Sequence, residues 1–232
     1  AMIKPNVTSW RAINVSNAFN TSLKMNDNGN RYGFTNNIDT HMMKNSEWAI
    51  VSYLSQSKYG KLGNTNFTGE NKEIYQNNAY ITGCSSGMPN DGNNSECLYS
   101  YNVEVSGTGA STTGNIYGIY DMSGGAWDYV MANYNDAIGS AGFESMPDSK
   151  YYDRYTTDNI LTACNGSECF GHNLSDTVGW YNAINSMITE DFPWMVRGGY
   201  PYYASNLLTF SASDVRGGNS SAASFRLVVA IR

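Results

Sequence analysis

The chain has 232 residues, of which 41% are hydrophobic, 13% aromatic and only 15% charged, with a formal net charge of -6. That length suits one domain with a substantial core or at most two small ones, and a single domain over residues 1–232 is expected. The aromatic content argues against disorder, because disordered chains are usually charge-rich and aromatic-poor. The isoelectric point near 4.8 excludes a nucleic-acid backbone binder, which needs a Lys/Arg surplus. No apolar run approaches the roughly 18 residues of a membrane span, so direct membrane insertion of this segment is not expected.

The mean hydropathy of -0.43 comes from uncharged Asn, Ser and Thr rather than from charge. Ala1 precedes Met2. The natural chain is therefore expected to begin upstream, with any leader or anchor in that missing part.

In chain order, SNAFNTSLKM (16–25) fits a short amphipathic helix with Phe19 and Leu23 four apart on one face. Residues 45–59 fit a stronger helix. Asn45 or Ser46 caps its start, Glu47 sits in the first turn and Gly60 stops it. Its expected buried stripe is Trp48, Val51 and Leu54, with Ile50 and Tyr53 beside them. From 60 to 115 the chain reads as loop with short strand candidates (AYITG, LYSYNVEV), and 133–187 again reads mostly as loop. The end, SFRLVVAIR, alternates Phe225, Leu227, Val229 and Ile231 with Arg226, Val228 and Ala230, a period-two strand pattern.

The four cysteines form two local pairs, Cys84/Cys97 and Cys164/Cys169, each bracketing a loop rich in Gly, Ser and Asn. A zinc site would want tighter spacing and more histidines than His41 and His172. Loop-closing disulfides Cys84–Cys97 and Cys164–Cys169 are favoured over free thiols, and they imply an oxidising, extracellular setting.

The run Asn115 to Tyr129 (NIYGIYDMSGGAWDY) resembles the N-x-x-G-L-x-D-M-x-G-N-V-x-E-W signature of the formylglycine-generating-enzyme (sulfatase-modifying-factor) family. The SEWAIVSYLSQSKYG helix, Arg197-Gly198-Gly199 and the terminal Ser224 to Val229 follow the same family's order. The resemblance implies an α+β, C-type-lectin-like fold of the formylglycine-generating-enzyme subtype: two helices around small antiparallel sheets with long loops. It also implies, for the enzymes of the family, a C-terminal cysteine pair that binds copper. Here no cysteine follows Cys169. The soft thiolate ligands of such chemistry are therefore missing, and two histidines fall short of the iron site of related sulfoxide synthases. Both histidines are read as structural or exposed, and no catalytic activity is expected.

The same scaffold serves as the variable protein of diversity-generating retroelements, where a C-terminal segment is mutagenised at template adenines. The chain also looks like surface or pilin-associated proteins of gut bacteria that share THMMKNSEW, YGIYDMSGGAW and PW..RGG. Mutating the first two bases of an Asn codon yields every amino acid except Lys, Glu, Gln, Met and Trp. None of those five occurs in residues 200–224, where their frequency elsewhere in the chain predicts roughly four.

The expectation is a ligand-binding, receptor- or adhesin-like domain with a hypervariable segment at 195–224. Its candidate contact residues are Val196, Tyr200, Tyr202, Tyr203, Asn206, Leu207, Ser211, Ser213, Asp214, Asn219, Ser220 and Ala222. Tyr, Ser, Asn and Gly dominate there as they do in antibody paratopes, where Tyr supplies area and Ser and Asn adaptable hydrogen bonds. The partner would be a protein or a glycan. The domain would be extracellular, on a pilus, cell surface or phage particle.

Arg197 and Arg226 read as buried clamps on backbone carbonyls, and Trp127 and Trp194 as core beneath the binding face. Asp214 and Arg216 read as an internal salt bridge. No resident metal is expected; calcium is the one candidate, through Asp121 and Asp128, although such a site needs several convergent oxygens. The competing functions are an oxidase of the formylglycine-generating class and a calcium-dependent lectin of fixed specificity. The latter lacks the usual Glu-Pro-Asn or Gln-Pro-Asp tripeptide.

Overall fold

Helix α1 (Val15–Leu23) starts where the Asn14 side chain accepts the Asn17 backbone N–H at 2.9 Å. It buries Val15, Ala18 and Phe19, the last edge-on to Phe143 and Tyr151. A 3₁₀ turn, Lys24–Asn26, continues it. The computed structural model describes residues 9–61, 74, 101–104, 107–158, 185–199 and 209–231. Within these the architecture is α+β.

Strand β1 (Ile38–Met42) follows, then helix α2 (Asn45–Ser55). The central strand is β2 (Trp127–Tyr134), and β3 (Asp153–Tyr155), β4 (Trp194–Arg197) and β5 (Ala212–Val215) come after it. The chain ends through β6 (Ala223–Phe225) and β7 (Leu227–Ile231). β1 and β7 form a two-stranded antiparallel sheet, in register from Ile38↔Ile231 to Met42↔Leu227. The larger sheet runs β3-β2-β4-β5, with β6 also on β2.

That sheet corrects the expectation of small antiparallel sheets. It is mixed: β4 is antiparallel to β2, whereas β3 and β6 pair with β2 in parallel. The long connection 135–152 allows the crossover that a parallel neighbour requires.

β2 is buried on both faces, which is why WDYVMANY carries no period-two polarity. On one face Tyr129, Met131, Trp194 and Val196 pack with Val15, Ala18 and Phe19 of α1. On the other, Val130, Ala132, Met195 and Ala212 pack with Trp48 of α2 and Met43.

α2 differs from its expected stripe. Asn45, Trp48, Ser52 and Ser55 face inward, whereas Ile50 and Leu54 are 57% and 59% exposed. Polar anchors set this rotation. Asn45 donates to Tyr155 Oη at 2.7 Å, the Ser46 N–H donates to Asp153 Oδ2 at 2.6 Å, and the Trp48 indole N–H donates to the Thr209 carbonyl at 3.0 Å. With that face fixed, the opposite side of the helix turns to water. The N-cap is Lys44, whose N–H donates to Glu47 Oε2 at 2.8 Å.

The helix stops at Ser55, before Gly60. Gly60 matters through close approach, since a Cβ there would lie 2.2 Å from the Ser55 carbonyl oxygen.

The terminal run also departs from its simple alternation. It breaks at Arg226, and Val229 and Ile231 are 44% and 85% exposed because β7 pairs with β1 alone.

Candidate functional site

The antiparallel register places Tyr129, Val196 and Ser213 side by side across β2, β4 and β5. Residues directly opposite share a face, so this row points to the α1 side of the sheet. At its edge the chain leaves β5 and turns back to β6, enclosing an open depression of about 320 Å³. Trp127, Tyr129, Val196, Ser213 and Val215 line the sheet side of it, and Arg216 to Ser220 with Ala223 and Ser140 line the rest.

Buried polar clamps hold this frame. Arg197 is 1% exposed; its Nε donates to Asn45 Oδ1 at 2.8 Å and its Nη1 to the Phe210 carbonyl at 3.0 Å. Burial lowers its pKa to about 10, which still leaves it charged at neutral pH. Arg226 donates to the Asp121 carbonyl at 2.5 Å and to Asp128 Oδ2 at 2.8 Å, against the Trp48 ring. Both arginines thus clamp backbone carbonyls as the sequence suggested, each with a side-chain partner in addition.

Burial raises the Asp128 pKa to about 6, outweighing the Arg226 guanidinium that pulls it down. Burial likewise pushes Tyr129 up to about 12, so its hydroxyl stays a donor, and it donates to the Gly218 carbonyl at 2.6 Å. Gly217 has a φ of +83° and leaves room for the Trp194 ring, which a Cβ there would meet at 2.6 Å.

The candidate contact residues divide. Ser213, Asn219 and Ser220 come together on the depression, from the strand and from the following turn. Val196 also lines it but is 2% exposed and belongs to the core. Ser211 is 0% exposed, and its carbonyl accepts the Gly198 N–H at 3.2 Å in the backbone ladder that leads into β5. Val196 and Ser211 therefore both carry structural duty. Asp214 sits opposite Met195 and so faces away from Ser213, as strand alternation requires. Ala222 is half-buried, its carbonyl accepting the Trp127 N–H at 2.9 Å. Tyr200, Tyr202, Tyr203, Asn206 and Leu207 lie outside the described residues, as do Cys84, Cys97, Cys164, Cys169 and His172.

Other expectations are revised. Trp194 is core, but Trp127 is only half-buried and lines the depression. Asp214 and Arg216 form no ion pair among the described residues; the Arg216 guanidinium lies over the Phe192 ring at 5.1 Å instead. Sequence reasoning missed Val215 and Arg216 as lining residues, although counting by two from Ser213 along β5 reaches Val215. Asp128 is engaged by Arg226, and among the described residues no group of three or more His, Cys, Asp or Glu side chains is placed to hold a metal ion.

His41 is buried and structural. Its Nε2 lies 2.9 Å from Glu47 Oε1 and its Nδ1 3.3 Å from Asp39 Oδ2. It joins β1 to the first turn of α2, away from the depression.

The lining sets the side chains of Ser213, Asn219 and Ser220 beside the rings of Trp127 and Tyr129, groups capable of van der Waals contact and hydrogen bonding. No known protein-family profile matches the chain, and no curated protein matches it significantly.

Proposed function

We propose that this protein is a non-enzymatic, ligand-binding domain of the C-type-lectin-like fold, displaying a hypervariable patch within residues 195–224 that a retroelement diversifies. The observation that carries this reading is the convergence of Ser213, Asn219 and Ser220 on one open depression. The walls of that depression are tied down by Arg197, Arg226 and the Tyr129 hydroxyl. A rigid frame with small polar side chains at its rim tolerates exchange of those side chains without refolding.

Among the described residues, two α-helices and the antiparallel pairing of the first strand, β1, with the last, β7, support the fold assignment. So does the run of motifs from Ser46 to Val229. The absence of Lys, Glu, Gln, Met and Trp from 200–224 supports diversification at Asn codons. The ligand is a protein or glycan met outside the cell, with the domain carried on a pilus, cell surface or phage particle.

The test is genomic. The DNA encoding residues 195–232 should have a near-duplicate beside a reverse-transcriptase gene, differing only where the copy has adenine. Sibling sequences should vary at Ser213 and Asn219 and stay apolar or small at Val196 and Ser211. Variation spread evenly along the chain would overturn the proposal.

A further inference from the structure

Residues 10–13 run beside the turn that carries Asn219 and Ser220. The Ala12 N–H donates to the Ser220 carbonyl at 2.8 Å, Ile13 bridges Ser220, and Arg11 Nη1 donates to the Ser221 carbonyl at 3.2 Å. This pairing holds Trp10 at the surface, 52% exposed, with its ring 5.9 Å from that of Phe225. Beside it, α1 and the turn after it present Asn17, Asn20, Thr21 and Lys24, spaced to fall on one helical face. Together with Ala12, Ile13 and Asn219 these residues bound a second open depression of about 350 Å³. Asn219 lines both depressions, so the turn is the ridge between them.

The chemistry of this second depression is specific. An exposed indole stands beside side chains that offer hydrogen bonds to solvent. Among the described residues the Asn17 amide, the Thr21 hydroxyl and the Trp10 N–H bond no protein group, and Asn20 spends only its Nδ2, on Ser16 Oγ at 3.4 Å. Lys24 is the single charged group in the lining.

We propose that this depression is a carbohydrate subsite that takes one pyranose ring. The C–H face of a pyranose lies against the electron-rich face of an indole, as cations and ring edges do. Its neighbouring hydroxyls each donate and accept, which matches an amide that carries a carbonyl oxygen and an NH₂ together. A phosphate ligand would want several cations where there is one, on a chain of net charge -6. An aliphatic ligand would meet a wall that is mostly amide and hydroxyl. The inference goes beyond the diversified patch and shares only Asn219 with it, so either can fail without the other.

The experiment uses the whole chain. Methyl glycosides of glucose, galactose, mannose and N-acetylglucosamine are titrated by saturation-transfer NMR and by tryptophan fluorescence. At least one is expected to bind in the millimolar range, with saturation concentrated on one face of the ring. Trp10→Ala should abolish it. The double variant Asn17→Ala, Thr21→Ala removes no protein hydrogen bond made by those side chains, so it should keep the parent Tm while weakening binding about tenfold. Absence of transfer from all four glycosides overturns the proposal, and so does binding that persists undiminished in both variants.

Discussion

Replacing Gly217 by alanine tests the frame of the depression most directly. A Cβ at Gly217 would lie 2.6 Å from Trp194 Cδ1 and 3.0 Å from the Ala141 Cβ, on a backbone at φ +83°. Trp194 has little freedom to yield. It is 0% exposed, its indole N–H donates to the Ile138 carbonyl at 2.9 Å, and its ring stacks on Phe143 at 5.5 Å. The left-handed backbone costs an alanine about 1–2 kcal/mol and overpacking about 1–3 kcal/mol, or about 2–5 kcal/mol together. At about 2–4 °C per kcal/mol for a domain of this size, the Tm should fall by about 4–20 °C.

Gly218 is the internal control. A Cβ there would meet Ser140 Cβ at 3.4 Å, an ordinary contact. Gly218→Ala should therefore stay within about 0.5 kcal/mol of the parent. Urea denaturation and calorimetry of the parent and both variants measure the difference. Equal stability of the two variants would refute the claim that Trp194 and the turn are locked together.

Further expectations concern pH and tolerance to substitution. The hydrogen bond with Glu47 holds the His41 pKa above its usual 6.5, with Asp39 assisting against burial and Lys44. The folded state therefore binds the proton more tightly than the unfolded one. This stabilisation is complete below pH 6.5 and is lost as pH rises through the raised value, a slope in urea-derived stability that His41→Gln should remove. Asp128 has the same sign. Its pKa rises from 3.8 to about 6, so its contribution, about 3 kcal/mol, is present below pH 3.8 and lost as pH rises through about 6. Asp128→Asn should flatten that part of the profile. Val196→Asn, which buries an amide in the core, should cost about 2–4 kcal/mol in urea denaturation, whereas Asn219→Tyr at the exposed rim should stay within about 0.5 kcal/mol. Similar costs at both positions would contradict the division between frame and rim.

Local patterns were readable in the residue order because they depend on neighbours a few positions away. The spacing of Phe19 and Leu23 located α1 to within two residues, and Glu47 marked the first turn of α2. The clamp roles of Arg197 and Arg226 were also readable, since a lone arginine among glycines or apolar residues must find buried acceptors. The composition of 200–224 singled out a stretch of small polar residues, of which Ser213, Asn219 and Ser220 line one depression.

Orientation depended on partners far along the chain. Leu54 looked like core from its spacing, yet hydrogen bonds to Tyr155, Asp153 and Thr209 rotate α2 so that Trp48, Ser52 and Ser55 face inward. Val196 looked like a free position, but pairing with Tyr129 and Ser213 sets it in the interior. Ser213 and Asp214 looked equivalent, and the register of β5 sends them to opposite faces. The opening composition, low in charge and rich in Asn, Ser, Gly and Tyr, thus specified a polar surface. Which of those side chains reach it was decided by strand register and buried arginine clamps, because both are set by contacts between residues distant in sequence.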